Sequence, residues 1–453
     1  MSVDPGKESV MNEYESVTRK LCDFIAGAPS CYHAITQGTL LLEKAGFQRL
    51  SEQVHWELAP GKSYYVIRSG SSMIAFHIPV RSPHHFQIVA SHSDSPSFRI
   101  KEDPEIRKAD HYVTLNIESY GGMLKAPWFD RPLGVAGRLM VCEGDTIRQV
   151  LADSGEDLLM IPSLAIHMDR KANESAHSSV QSEMLPVFGD ENSFGSFLRL
   201  MAEKSGVRVE SIVGYDLFLY NRTPYSIWGA GREFFSSPRL DDLQCAYASL
   251  RALAHSAAEN SPDADSISVC CLFDNEEVGS RTKQGADSTF LQDVLKRIST
   301  SFEWDPEKLP IMLSSSFMLS ADNSHAVHPN YPDKADPVNR PFMNGGVVLK
   351  YNANQKYTTD AVSASVFRSI CRNADIPVQT YFNHSDIPGG STLGNISSSH
   401  VSINCADIGC AQLAMHSPYE TAGIKDTAYM IRAMEAFYNA SVCFLPDGSV
   451  TVR

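Results

Sequence analysis

Long apolar runs are missing from this sequence of 453 residues. No stretch approaches the roughly 18 consecutive apolar residues that a membrane-spanning helix needs, and residues 1–17, MSVDPGKESVMNEYESV, lack the basic segment and apolar run of a secretory signal. Positive charge is also scarce, because 39 Lys and Arg stand against 53 Asp and Glu and leave a net charge of -14. Such a balance repels nucleic acid and anionic membranes at long range. We therefore expect a soluble, cytoplasmic protein that binds neither nucleic acid nor a membrane.

Cysteine and serine motifs are missing as well. The ten cysteines stand singly, apart from Cys270 and Cys271, and none forms the CxxC pairs of a zinc finger. Most lie in apolar runs such as ISVCCLF, which favours reduced thiols in a core and a reducing compartment. The sequence has no GxSxG, the turn that presents a nucleophilic serine in many hydrolases. A nucleophilic Ser or Cys is therefore a weaker hypothesis than a metal site.

The residue pattern predicts two domains, one of them inserted into the other. Apolar residues at helical spacing in 13–46 predict two helices separated by the turn GAPS, and the β runs SYYVIRS, MIAFHIPV and FQIVASH follow. Between 101 and 235, turn-separated β runs and a helical piece at 194–204 show no regular strand–helix alternation. Alternation returns after 236, with helices at 243–255, 361–372 and 421–438 and strands at 266–273, 311–322, 377–383 and 401–411. We predict an α/β fold in which a three-layer α/β/α domain, 1–100 and 236–453, is interrupted by a β-rich domain at 101–235.

Polar clusters follow two of the apolar runs. In SHSDSP, residues two apart in a strand face the same way, so Asp94 can orient the imidazole of His92 while His92 binds a metal. This HxD pair is weak by itself, because it is common by chance. In DNEEVGS, directly after SISVCCLF, the adjacent carboxylates of Glu276 and Glu277 require a compensating cation if they are buried. One can be a metal ligand and the other a general base, although a solvated turn explains the motif equally well on its own.

Further acids and a histidine end other apolar segments: Asp241 and Asp242 before a helix, Asp322 in LSAD, and His416 in AMHS. Taken alone, Asp241 or Asp242 is explained by a helix cap, and His416 by a core histidine. Counted with His92 and Glu277, however, Asp241, Asp322 and His416 complete a set of two imidazoles and three carboxylates. That set suits two divalent ions about 3.5–4 Å apart that share one carboxylate, whereas structural zinc prefers thiolates.

In these segments the chain resembles the aspartyl aminopeptidases, a family of large oligomeric exopeptidases with two metals. The resemblance runs essentially end to end, and its most specific segments are DNEEVGS and SADNSHAVHPNY. The others are CYHAITQGTLLLEKAGFQRL, HSDSPSFRIK, IPSLAIHMDR, SSPRLDDL, LKYNANQKYTTDAVS, IPGGSTLG and AMHSPYE.

Roles for individual residues come from this resemblance. It implies that one metal is bound by His92, Asp241 and Asp322 and the other by Asp241, Glu277 and His416, with zinc expected and manganese or cobalt as alternatives. Glu276 is then the base that activates a bridging water, with Asp94 as a further catalytic residue. Substrate-binding positions fall on His167, which reaches a neighbouring subunit, and on His325, Lys350 and Tyr357. Without the resemblance, these last three are an ordinary loop residue, a solvated strand end and a core residue.

One motif departs from the family pattern. The family usually has RLDN where this chain has RLDD, so Asp242 adds a carboxylate beside the expected bridging residue, Asp241. An exchange of roles between the two aspartates stays open.

The function implied is removal of N-terminal residues from peptides, with a preference for Asp or Glu, by a dodecameric shell in which the inserted domain is a lid and contact surface. A neutral preference is the alternative, because relatives cleave neutral residues and a net negative charge does not attract acidic peptides. Two alternatives remain: another two-metal amidohydrolase, such as a carboxypeptidase or deacylase, and a non-catalytic shell or cargo protein.

Overall fold

The computed structural model describes residues 5–174 and 178–453. The α-helices are α1 Pro5–Ala26, α2 Cys31–Lys44, α3 Val180–Glu183, α4 Phe197–Lys204, α5 Leu240–Glu259, α6 Phe290–Ser301, α7 Lys308–Ser314, α8 Ala361–Asn373, α9 Leu393–Ser397 and α10 Asp426–Asn439. None of these helices is both long enough and apolar enough to cross a bilayer.

The strands are β1 Gln48–Leu50, β2 Ser63–Arg68, β3 Ser72–His77, β4 His85–His92, β5 Ser97–Lys108, β6 Tyr112–Tyr120, β7 Leu133–Glu143, β8 Thr146–Asp153, β9 Val187–Asp190, β10 Ile212–Asn221, β11 Ser226–Trp228, β12 Phe234–Ser237, β13 Ser266–Phe273, β14 Phe317–Ala321, β15 Ser324–His325, β16 Val347–Tyr351, β17 Val378–Phe382, β18 Asn404–Gly409, β19 Ala411–Leu413, β20 Glu420–Gly423, β21 Val442–Phe444 and β22 Val450–Val452.

A nine-stranded sheet forms the middle layer, in the order β1-β2-β3-β13-β4-β14-β18-β16-β17. Alternate residues of its strands face opposite sides. In β4, Val89 packs in a core with α1, α2, α5, α8 and α10, whereas Ile88 and Ala90 pack in a second core with α6, α7 and α9. The predicted α/β fold, with helices on both faces of a sheet, is confirmed.

The sheet topology brings polar segments together at one edge. Strands β13, β4 and β14 are neighbours and run parallel, with Phe273 opposite His92 and Ser320 opposite Ala90. All three strands are buried along their whole length. Because the carboxyl ends of parallel strands meet at the same edge, the residues that follow them are brought side by side.

A six-stranded antiparallel sheet, in the order β8-β7-β10-β5-β6-β9, lies between Ser97 and Asn221. It has its own apolar core, which includes Phe98, Leu139 and Leu217. A further five-stranded sheet, β11-β12-β20-β19-β15, joins a segment at 226–237 to segments at 324–325 and 411–423. Strand β11 and the first two residues of β12, which fall within the predicted domain 101–235, belong to this third sheet. The use of the six-stranded unit as a lid stays a prediction.

Two predicted elements are wrong in part. Residues 311–314 of the predicted strand 311–322 form the end of helix α7, because Leu309, Met312 and Leu313 present one helical face to the core. A short apolar run does not distinguish the two structures. The predicted helix 421–438 begins only at Asp426, since 420–423 form strand β20 and pair with β12 and β19.

Candidate metal centre

Six acidic or imidazole side chains from five distant segments meet at this edge of the nine-stranded sheet. His92 ends β4, Asp241 opens α5, Glu276 and Glu277 lie in a 3-10 turn after β13, Asp322 follows β14 and His416 lies between β19 and β20. Their potential ligand atoms lie within 4.8 Å of one another in three overlapping groups. These groups are His92, Asp241, Asp242 and Asp322; His92, Glu276 and Glu277; and Asp241, Glu277 and His416. The first and third contain the two predicted ligand sets.

Asp241 lies between the two imidazoles. Its Oδ1 is 3.5 Å from Nε2 of His92, and its Oδ2 is 3.5 Å from Nε2 of His416. Asp322 Oδ1 lies 3.8 Å from the first imidazole and Glu277 Oε2 lies 3.3 Å from the second. Ligand atoms held about 2.1 Å from a tetrahedral zinc are roughly 3.4 Å apart. The separations therefore match two cation sites that share Asp241.

Both imidazoles direct the same nitrogen to the cluster. Nδ1 of His416 lies 2.6 Å from the carbonyl oxygen of Gly122, and Nδ1 of His92 lies 3.1 Å from the carbonyl oxygen of Asp94. A carbonyl only accepts hydrogen bonds, so Nδ1 carries the proton in each ring. In the neutral form of each ring, the lone pair of Nε2 is then available to a metal, an arrangement that fixes the tautomer of metal-binding histidines.

Buried oxygens at the cluster lack hydrogen-bond partners among the described residues. They include Asp241 Oδ1 and Glu277 Oε1. Burial, and then the charge of Asp241, raises the pKa of Glu277 well above its usual range. Burial alone would lower the pKa of His416, but Asp241 and Glu277 outweigh it and raise the pKa to about 10. The cluster is thus short of positive charge, and its donor set fits a pair of divalent cations.

Asp94 holds the turn that carries the two glutamates. Its Oδ1 accepts the backbone N–H of Glu276 at 3.2 Å and its Oδ2 accepts that of Glu277 at 3.2 Å. Oδ1 also lies 3.3 Å from Nδ1 of His92. From the sequence, Asp94 is expected to orient the imidazole of His92 and to be a further catalytic residue, so its contact with the turn is an additional finding.

Asp242 lies on one side of the cluster. Its Oδ2 accepts the backbone N–H of His92 at 3.2 Å, and the side chain is fully buried. Its peptide bond with Asp241 is cis. Asp242 belongs only to the group with His92 and Asp322, whereas Asp241 has an oxygen facing each imidazole. This geometry favours Asp241 as the shared ligand.

The predicted substrate-binding residues lie in different environments. Lys350 is only 1% exposed, so the interpretation of this residue as a solvated strand end is wrong. Its Nζ donates to the carbonyl oxygen of Asp322 at 2.7 Å and lies 3.3 Å from Asp322 Oδ2. Tyr357 is buried, with its ring centre 5.1 Å from that Nζ. His325 is exposed on β15, and His167 lies in an exposed loop outside the three groups. Their roles in binding substrate stay predictions.

Sequence reasoning missed two residues beside the cluster. The Tyr120 hydroxyl, at the end of β6, donates to Asp94 Oδ2 at 2.7 Å, so the six-stranded sheet contacts the centre there and at Gly122. Glu420, in AMHSPYE, is 2% exposed and accepts the backbone N–H groups of Asp241 and His416. The only sequence signal for Glu420 is its place in the segment AMHSPYE, close to His416. A tyrosine in a β run gives no signal that it lies beside a metal site.

The chain is similar to known proteins over most of its length. A family model described as aminopeptidase I zinc metalloprotease (M18) matches residues 24–438. A probable M18 family aminopeptidase 2 of Clostridium novyi is 42% identical over 431 residues, 93% of this chain and 98% of the relative. The yeast aminopeptidase 1 (Ape1) crystal structure has a TM-score of 0.83 at 30% identity, covering 94% of this chain and 97% of that chain. A cryo-EM structure of an Ape4 and Nbr1 complex has a TM-score of 0.92 at 35% identity, with 94% and 86% covered.

The buried pair of Lys350 and Asp322 gives a stability prediction. We expect Lys350→Met to lower the free energy of unfolding of the metal-stripped chain by roughly 3–5 kcal/mol, because it leaves a buried carboxylate without its partner. Urea unfolding followed by circular dichroism measures this change. Lys356→Met is the control, since Lys356 is half-buried and donates only to a carbonyl; we expect under about 1 kcal/mol there. Equal losses in the two variants would contradict the interpretation.

Proposed function

Because the chain belongs to the M18 family of aminopeptidases, we propose that it removes N-terminal residues from peptides at a two-metal centre, with Glu276 as general base. The observation that carries this proposal is the position of Asp241, whose two oxygens face the imidazoles of His92 and His416. The family description as a zinc metalloprotease supports zinc as the metal.

The cluster supplies ligands for both ions. His92, Asp241 and Asp322 would hold one, and Asp241, Glu277 and His416 the other. Imidazole and carboxylate ligands suit zinc, and manganese or cobalt are alternatives. When bound, the ions lower the pKa of a water molecule and polarise the scissile carbonyl.

The position of Glu276 supports a role in proton transfer. Its carboxylate lies with His92 and Glu277 in one group, and its backbone N–H is held by Asp94. Burial, and then nearby carboxylates such as Asp322, raises the pKa of Glu276 to about 8, near the range in which a base is effective. We infer that this carboxylate takes a proton from the attacking water and returns it to the leaving amine.

Substrate selection is proposed to depend on the free N-terminus. The free α-amino group of a peptide would bind a metal or meet a carboxylate of the centre, which explains the restriction to N-terminal residues. The preference for N-terminal Asp or Glu rests on the resemblance to aspartyl aminopeptidases. Among the proposed contacts, Lys350 is a cation whose ammonium already binds Asp322, so His325, exposed on β15, is the more accessible group for an acidic side chain.

The proposal includes a homo-oligomer. The loop around His167 exposes the apolar side chains of Leu164, Ile166 and Met168, at 61%, 46% and 75% of their surface. Such a patch is typical of a protein contact, and a related yeast structure is described as the mApe1 dodecamer. We infer a dodecamer in which residues 101–235 form the lid and contact surface and His167 enters a neighbouring site. A cytoplasmic location is also proposed, because the described cysteines are free thiols.

The base assignment predicts the effect of a single substitution. Glu276→Gln should lower kcat by about 100- to 10,000-fold, because it removes the proton acceptor, while the zinc content per subunit stays that of the wild type. Steady-state kinetics and elemental analysis of the same sample measure both. Glu307→Gln, at an exposed carboxylate, should change neither. Retained turnover in Glu276→Gln would refute the role.

The activity itself predicts a pattern across substrates. Aminoacyl substrates with N-terminal Asp, Glu, Leu and Lys should be cleaved, fastest for Asp and Glu, and an N-acetylated peptide should not be cleaved. A chelator should abolish hydrolysis, and zinc, manganese or cobalt should restore it. Cleavage of the blocked peptide would favour another amidohydrolase. Hydrolysis that survives complete metal removal would refute the metal centre.

A further inference from the structure

Glu420 is a buried carboxylate at the junction of two segments that carry ligands. It is the first residue of β20 and pairs with Ser237 at the end of β12. The chain reaches Asp241 a few residues after β12, and His416 lies in the loop just before β20. Glu420 therefore lies where the strands leading to two members of the cluster come together.

The carboxylate of Glu420 binds the backbone of both residues. Oε2 accepts the N–H of Asp241 at 3.0 Å, across 179 positions of sequence, and Oε1 accepts the N–H of His416 at 2.8 Å. The side-chain amide of Gln412 donates to Oε1 at 3.2 Å and orients the carboxylate. Backbone N–H groups need an acceptor when they are removed from water, and the two oxygens of Glu420 supply one to each residue. One side chain thus connects two distant segments.

The backbone at His416 depends on such support. Its φ is +66°, a left-handed conformation that few non-glycine residues adopt. Holding a residue there is unfavourable, so the surrounding contacts have to stabilise it. The N–H bond to Glu420 and the ring contact with Gly122 hold the residue from two sides. Loss of the first would let the backbone relax and turn the imidazole.

We propose that Glu420 is a positioning residue that sets the distance between Asp241 and His416 through their backbone amides, and thereby sets the affinity of the metal site formed by Asp241, Glu277 and His416. This inference rests on the proposed function. Asp94 makes the corresponding pair of bonds to Glu276 and Glu277 on the opposite side.

A matched control lies six residues further on. Asp426 is 1% exposed and its carboxylate also accepts two backbone N–H groups, from Asn344 at 2.6 Å and Gly346 at 3.1 Å. It is absent from all three groups of the metal cluster. Asp426→Asn therefore removes the same kind of bond from the same region without touching a proposed ligand.

Metal titration distinguishes positioning from general stability. Full-length wild type, Glu420→Gln and Asp426→Asn are stripped of metal and dialysed against buffered zinc, and zinc per subunit is measured by elemental analysis. We expect Glu420→Gln to weaken the zinc equivalent bound with His416 by about 10- to 100-fold, and to weaken the other equivalent less, because the two sites share only Asp241. Asp426→Asn should bind both as the wild type does, although both variants melt at lower temperature. Equal titrations for the wild type and Glu420→Gln, or an equal weakening in both variants, would overturn the inference.

Hydrogen exchange of the wild type gives a test that needs no variant. The amides of Asp241 and His416 should exchange slowly in the metal-stripped chain, because Glu420 binds them directly. Exchange as fast as in the exposed loop around His167 would overturn the inference even if Glu420→Gln does not fold. A wild-type chain that takes up no zinc while these amides stay protected would instead overturn the proposed metal centre.

Discussion

Buried negative charge at one edge of the nine-stranded sheet is the constraint that the surrounding structure has to meet. Seven carboxylates lie there: Asp94, Asp241, Asp242, Glu276, Glu277, Asp322 and Glu420. A buried carboxylate is unfavourable by several kcal/mol unless hydrogen bonds or opposite charge compensate it. Backbone N–H groups compensate Asp94 and Glu420, and an ammonium compensates Asp322. Oδ1 of Asp241, which faces His92, and Oε1 of Glu277 have no hydrogen-bond partner among the described residues.

Two sheets share the task of holding this edge in place. Strands β4, β13 and β14 are buried on both sides, so their ends are fixed by the cores above and below. The five-stranded sheet brings the other two members, Asp241 after β12 and His416 between β19 and β20. Asp241 is close to the residues that follow β4, β13 and β14 and also to His416, because it lies where the two sheets meet. The centre is therefore a product of tertiary topology, with each ligand on a separate segment.

Much of the site could be predicted because the ligands follow apolar strands whose pattern is clear. The run SISVCCLF is strand β13 itself, and FQIVASH differs from β4 by one residue. Glu420 escaped notice because its partners are backbone N–H groups, which every residue except proline carries, so no residue type signals the contact. Lys350 was named as a substrate-binding position, but its burial was not predicted: a lysine at a strand end is usually solvated, and only the tertiary fold buries it. The errors at α7 and β20 arose where local pattern and tertiary pairing disagree.

Gly122 and Tyr120 give the six-stranded sheet a direct part in the centre. The carbonyl of the first fixes the tautomer of His416, and the hydroxyl of the second supports the carboxylate that holds the glutamate turn. The β-rich unit consequently cannot be treated as a removable module. Excising it, or exchanging it for that of a relative, would alter the protonation of one imidazole as well as the walls around the substrate, so the two units have to be engineered together.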